Sequence, residues 1–293
     1  MWVGVPNFQA RPLGKVHKDG HAILCAFTFA LPRLSITNPK RKVMVNIRII
    51  TTGQLASELN ITKIITWESV LFKVVDYQQH NLNLVPDLPN WGYSDGNLNA
   101  NLPTTEVLDI GAMINETVHI NVFVLDAPLE YNYYSRILNN DCVVITYYQI
   151  REILYKEDIP LENFVLRLLY AYSFIYMAKQ GEHMAMSDEV RFAHARKGCL
   201  FDMCGIKTEV IYSSVSPSFC RDCEVKLNGR VQTSVVNKVR KELKHIRKDF
   251  YHRALSFLKN HPCYSLIISG LVAIVLNIVS NVIFEMTLIF FNR

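Results

Sequence analysis

The chain has no internal repeat and no long low-complexity segment, so its architecture is not that of a repeat array. It contains no G-x-S-x-G, no P-loop and no G-x-G-x-x-G, and so signals neither a nucleophile elbow nor a loop that cradles phosphate. Its first residues, MWVGVPNFQARPLGKVHKDG, have no basic start followed by an apolar run of signal-peptide length, and no secretion signal is expected. Charge is scarcest near the C-terminus. From Tyr264 to Phe291 the sequence reads YSLIISGLVAIVLNIVSNVIFEMTLIFF, with Glu285 the only charged side chain. A bilayer core takes about 20 apolar residues in helix, and this run exceeds that length. A transmembrane helix is expected over 264–291.

The net charge of +5 is unevenly placed. Lys238, Arg240, Lys241, Lys244, Arg247, Lys248, Arg253 and Lys259 face only Glu242 and Asp249 within the same stretch. The rest of the chain is close to neutral. A basic tract confined to the approach of an apolar span suits anionic lipid headgroups, and no nucleic-acid partner is expected. Basic residues before a span also set its direction. The expectation is a single-pass protein of the inner or cytoplasmic membrane, with its N-terminal domain in the cytosol. In that compartment seven cysteines point to metal or free thiols rather than disulfides.

Strands are expected at His21–Leu34, Val43–Ile49, Thr117–Leu125 and Asp141–Tyr147, from β-branched or continuously apolar character. Helices are expected at Glu68–Tyr77, Thr105–Met113, Tyr148–Tyr155 and, very apolar, Leu161–Lys179. Asn81–Pro103, rich in Asn, Pro, Asp and Gly, reads as a long surface loop. Asp126, Glu130, Tyr131, Tyr133 and Tyr134 read as a strand-end turn, and His17, His21, His80 and His119 show no ligand spacing. The fold class is α/β or α+β. Its expected divisions are a cytosolic domain over 1–233, a basic amphipathic helix over 234–260 and the span.

Cys199, Cys204, Cys220 and Cys223 are spaced C-x4-C-x15-C-x2-C. Two close pairs separated by a loop are what tetrahedral zinc requires, and four thiolates leave no open position for water. Such a site is structural. His194 is the alternative ligand to Cys199 or Cys204. Cys25, Cys142 and Cys263 lie in apolar runs and read as packing residues.

The segment Gly198-Cys199-Leu200-Phe201-Asp202-Met203-Cys204, followed by Cys220-Arg221-Asp222-Cys223, resembles the end of the archaemetzincin zinc metallopeptidases. The resemblance covers roughly residues 44–227 and implies a metzincin-like mixed sheet, a long core helix and a structural zinc on the four cysteines. That family carries its catalytic zinc on H-E-x-x-H in the long helix, with a third histidine just before the first cysteine. Here Leu161–Lys179 has no histidine, and Gly198 stands before Cys199. The resemblance therefore implies a degenerate peptidase fold without peptidase chemistry.

Val239, Leu243, Ile246, Phe250, Ala254 and Phe257 form one apolar stripe. It suits packing on the chain's own domain, an interfacial helix on lipid, or a short coiled coil, and His261-Pro262 marks its end. Within the span Asn277, Asn281 and Glu285 fall at i, i+4 and i+8, with Ser280 alongside. Glu285 lies about 31 Å along a helix counted from Tyr264, near the far headgroups, at roughly 1.5 Å per residue. The two asparagines stay in the core, where amides seek partners, so a homo-oligomer is expected. Lys238, Arg240, Lys241, Lys244, Arg247 and Lys248 are the lipid-facing collar. These features suit a non-enzymatic sensor and effector, answering a protein or other trigger by clustering its spans, as in bacterial defence or toxin systems. A membrane-tethered peptidase with unrecognised ligands and a passive tether are the alternatives.

Overall fold

The computed structural model describes residues 44–291, apart from 53–54, 56–57, 83, 110–115, 140, 181 and 249. The strand expected at His21–Leu34 lies outside the described residues. The strands are β1 (Val45–Thr52), β2 (Phe72–His80), β3 (Ile120–Leu125), β4 (Ser135–Ile137) and β5 (Cys142–Thr146). The helices are α1 (Ile61–Ile65), α2 (Asp95–Asn101), α3 (Thr105–Asp109), α4 (Ile150–Lys156), α5 (Leu161–Ala178) and α6 (Met186–Phe192). They continue with α7 (Val210–Val215), α8 (Arg221–Leu227), α9 (Thr233–Leu243), α10 (Phe250–Asn260) and α11 (Pro262–Phe291).

The sheet order is β2-β1-β3-β5-β4. β1 pairs in parallel with β2 and β3, β3 with β5, and β4 closes the edge antiparallel to β5. Alternation along the inner strands serves two cores. Val45, Ile47, Ile49, Ile120, Val122, Val124, Val143 and Ile145 join the cluster that includes α5. Ile50, Phe123, Cys142 and Val144 join Leu98 of α2 and Leu108 of α3 on the other face. A mixed α/β architecture results. α5 is buried almost throughout, which is why its sequence is apolar on every side.

Three local expectations are corrected. Glu68–Tyr77 is not a helix: the chain from Phe72 is edge strand β2, because β1 offers a full backbone ladder. Its Val74, Val75 and Tyr77 suit a strand once that ladder exists. Asn81–Pro103 is not all loop, since Ser94 accepts from the Asn97 amide at 3.1 Å and starts α2, which buries Leu98. The single helix expected over 234–260 is two, α9 and α10. Val235, Val236, Val239, Leu243 and Ile246 are buried in the main core, whereas Phe250 and Phe257 are exposed. The apolar stripe thus serves the domain in its first half only.

α9 is fastened by Glu242. Its carboxylate accepts from the Val70 amide at 3.0 Å, the Ser69 hydroxyl at 2.9 Å and the Tyr170 hydroxyl at 2.7 Å. Burial, more than any neighbour, holds the Tyr170 phenol protonated far above its usual range. Glu242→Ala strands these donors, and a buried donor left without a partner costs about 1–3 kcal/mol. The expected outcome is a fall of at least that size in stability by urea denaturation of the full chain in detergent, against no change for Glu152→Ala on the exposed face of α4.

Candidate metal centre

His194, Cys199, Cys220 and Cys223 converge, with their ligand atoms all within 4.8 Å of one another. Each is placed by local backbone. Gly198, at φ +77, takes a left-handed turn that a side chain would strain, and Cys199 N donates to Arg196 O at 3.0 Å to close it. The chain then runs beside residues 216–220: Leu200 N donates to Ser218 O at 2.8 Å, and Ser218 N to Gly198 O at 3.0 Å. His194 is set against the same turn by a bridge to Asp202, with Met203 N donating to His194 O at 2.9 Å. Cys220 caps α8 and Cys223 lies in its first turn, so one helical turn presents both sulfurs.

The donors lie close enough together to share one ion. His194 Nε2 lies 2.8 Å from Cys223 Sγ and 3.2 Å from Cys220 Sγ. Cys199 Sγ lies 3.6 Å from Cys223 Sγ. Sulfurs about 2.3 Å from a tetrahedral ion stand about 3.8 Å apart. The Cys223 thiol draws the Cys199 thiol below its usual range, burial opposes this, and backbone amides of Phe201 and Cys220 assist it. Cys223 moves the opposite way for the same contact. An ion bound here takes the cysteines as thiolates, so its binding releases their protons. The group can hold a metal ion.

Cys204 does not belong to it. The bridge at Asp202 turns the chain away, Cys204 takes φ +45, and its sulfur lies 3.8 Å from Ser213 Oγ on α7. Burial raises its pKa. The four-cysteine reading is corrected to three cysteines and His194. A C-x4-C pair is long enough for the second cysteine to leave the turn, and His194 sits on the neighbouring strand-like segment in its place.

The collar divides with the helices. Lys238, Arg240 and Lys241 project from the exposed face of α9, and Lys244, Arg247 and Lys248 follow in the connection to α10. Arg240 is paired with Glu224 of α8, so it is a domain contact as well as a surface charge. Lys259 on α10 pairs with Asp158 at 3.0 Å. Asn277, Ser280 and Asn281 are exposed on α11, with Glu285 one turn further along the same helix. Pro262–Phe284 is long and apolar enough to cross a membrane, and none of it is buried against the domain.

The sequence reading passed over Arg167. It is the one basic residue in α5 and is 1% exposed. A single arginine inside an otherwise apolar run was the available signal, since such a charge is buried at a cost unless something meets it. Its Nη2 donates to Asp202 O at 2.6 Å and to the Tyr134 hydroxyl at 3.2 Å.

No known protein family, curated protein or solved structure matches this chain.

Proposed function

We propose that the chain is a tail-anchored, zinc-stabilised, non-enzymatic effector, whose cytosolic domain controls the association of its membrane spans. The observation that carries this reading is α11: 30 residues of helix with an exposed apolar surface, contiguous with a folded α/β domain. An apolar helix of that length left in water would be an aggregation hazard, and a bilayer removes it. The basic residues before it favour the cytosolic side for the domain. Asn277 and Asn281, one turn apart at mid-span, favour contact between identical helices. Membrane perturbation on clustering, as in a defence or toxin system, is the effect we propose for that contact.

Zinc is the ion that three thiolates and one imidazole suit best, and a closed shell assigns it a structural role. The resemblance to archaemetzincins rests on the cysteine spacing in the sequence. It is weakened by His194 taking the place given to Cys204. α5 carries Arg167 and no histidine, which favours a non-peptidase role.

Induced expression in a bacterial host tests the effector reading. Growth arrest with loss of membrane potential is expected for the full chain. Asn277→Leu with Asn281→Leu is expected to relieve it by at least tenfold in viable counts while the protein remains in the membrane fraction. Undiminished arrest in that double variant would remove the span contact from the mechanism.

A further inference from the structure

The strand order β2-β1-β3-β5-β4 has a switch point between β1 and β3. The two strands lie side by side in parallel, with Thr51 opposite Val124. From β1 the chain turns toward β2 on one side, and from β3 it turns toward β4 and β5 on the other. Connections that part in this way leave a crevice beyond the carboxyl ends of the strands, where open α/β sheets bind ligands. A cavity of about 400 Å³ lies at that place. Thr52 lines it from the end of β1, and Leu125, Asp126 and Ala127 line it from the end of β3. Its volume falls within the roughly 300–1,000 Å³ of sites for small molecules and cofactors.

The lining decides the kind of ligand. Arg151 is the one basic residue among its described residues, and it is held by Glu58 at 2.7 Å and Asp126 at 2.8 Å. Two carboxylates against one guanidinium leave a negative charge on the lining, which disfavours phosphate and other anions. Arg151 bridges both carboxylates, so neither stands bare and calls for a cation. The Glu58, Arg151 and Asp126 side chains are 42%, 34% and 32% exposed. The carboxylate lone pairs that Arg151 leaves unused are therefore open to hydroxyl donors. Thr52, Asn81 and Tyr93 add neutral polar side chains that have no hydrogen-bond partner among the described residues. Leu55, Leu82, Leu84 and Leu125 make the rest of the wall apolar, and the Tyr93 ring adds a flat face. The matching ligand is uncharged, with neighbouring hydroxyls at one end and a flat, largely apolar body at the other.

We propose that this crevice binds an uncharged ribonucleoside, its ribose hydroxyls donating to the Asp126 and Glu58 carboxylates and its base lying against the leucines and Tyr93. The site stands apart from the membrane reading, since its described lining ends at Arg151. The test uses the full chain in nanodiscs, titrated separately with adenosine, guanosine, cytidine and uridine, and read by calorimetry and thermal denaturation. Saturable binding of at least one is expected, with its 2′,3′-dideoxy counterpart and its 5′-monophosphate each at least tenfold weaker. Ala127→Leu fills the crevice and keeps its polar groups. Asp126→Asn removes one carboxylate and leaves Arg151 held by Glu58. Each is expected to weaken the bound nucleoside at least tenfold, so the inference remains testable if one of them fails to fold. Asp126→Asn should also narrow the gap between the ribo and dideoxy forms. No saturable binding of any of the four by the wild type, binding retained in both variants, or the monophosphate bound more tightly than its nucleoside would overturn it.

Discussion

His194→Ala is expected to empty the metal centre, and Cys204→Ser to leave it filled. A conservative reading of the cysteine pattern predicts the reverse. The structure brings His194 Nε2 to 2.8 Å from Cys223 Sγ, while Cys204 turns toward Ser213. Structural zinc contributes about 10–16 kcal/mol of apparent binding free energy in small zinc-binding peptides. A domain that uses such a site to tie the 194–204 turn to α8 loses a large part of that when one of four donors is removed. Elemental analysis of the purified full chain should give one ion per chain for the wild type and for Cys204→Ser, and close to none for His194→Ala. His194→Ala should also unfold at much lower temperature, and a chelator should bring the wild type down to meet it. Metal retained by His194→Ala and lost from Cys204→Ser would restore the four-cysteine site. Two ions per chain would favour the tethered-peptidase reading.

Ending the chain after Asn260 should move it from the membrane fraction to the soluble fraction. Leu, Ile, Phe and Val contribute about −0.3 to −0.6 kcal/mol each at mid-bilayer. The many such residues between Leu266 and Phe284 therefore outweigh two asparagines by several kcal/mol. α10 remains after this cut, with Phe250, Tyr251, Phe257 and Leu258 exposed beside basic residues. Any residual attachment through it is peripheral and should be released by high salt, as screening weakens contacts with anionic lipid. The full chain should resist both salt and alkaline extraction. Metal content should be unchanged by the truncation, since no ligand lies beyond Cys223. A truncated chain that still resisted alkaline extraction would show that α11 is not the anchor.

The parts of the fold that were legible in the sequence are those fixed by local pattern. β3 and β5 are rich in β-branched and apolar residues, α5 is mostly apolar on every face, and α11 needs no partner to be recognised. The His261-Pro262 break also falls where α10 gives way to α11. What was not legible depends on tertiary choice. β2 has apolar spacing that a helix could use, and pairing with β1 decided it. β4 is only three residues long, and its strand character comes from β5 alone. Val239 and Phe257 share one stripe in the sequence, yet the core covers the first and leaves the second exposed.

The metal group shows the same division. The Cys220-x-x-Cys223 pair is a local motif and was read directly, because one helical turn is enough to aim both sulfurs. The partner pair is not local. Whether Cys204 or His194 completes the set is decided by the bridge between His194 and Asp202, which spacing does not encode. Arg167 was visible as an anomaly in α5, but its partners, the Asp202 carbonyl and the Tyr134 hydroxyl, are brought to it only by the fold.

The effector reading rests on contact between spans, and Cys263 offers a direct probe of it. This thiol is exposed at the start of α11, just before the apolar run. Oxidative cross-linking of the full chain in native membranes should give a disulfide-linked dimer through Cys263. Asn277→Leu with Asn281→Leu should reduce that dimer at least tenfold at equal membrane content, and Cys263→Ser should abolish it. A wild-type chain that gives no dimer, or a double variant that cross-links as well as the wild type, would contradict the account.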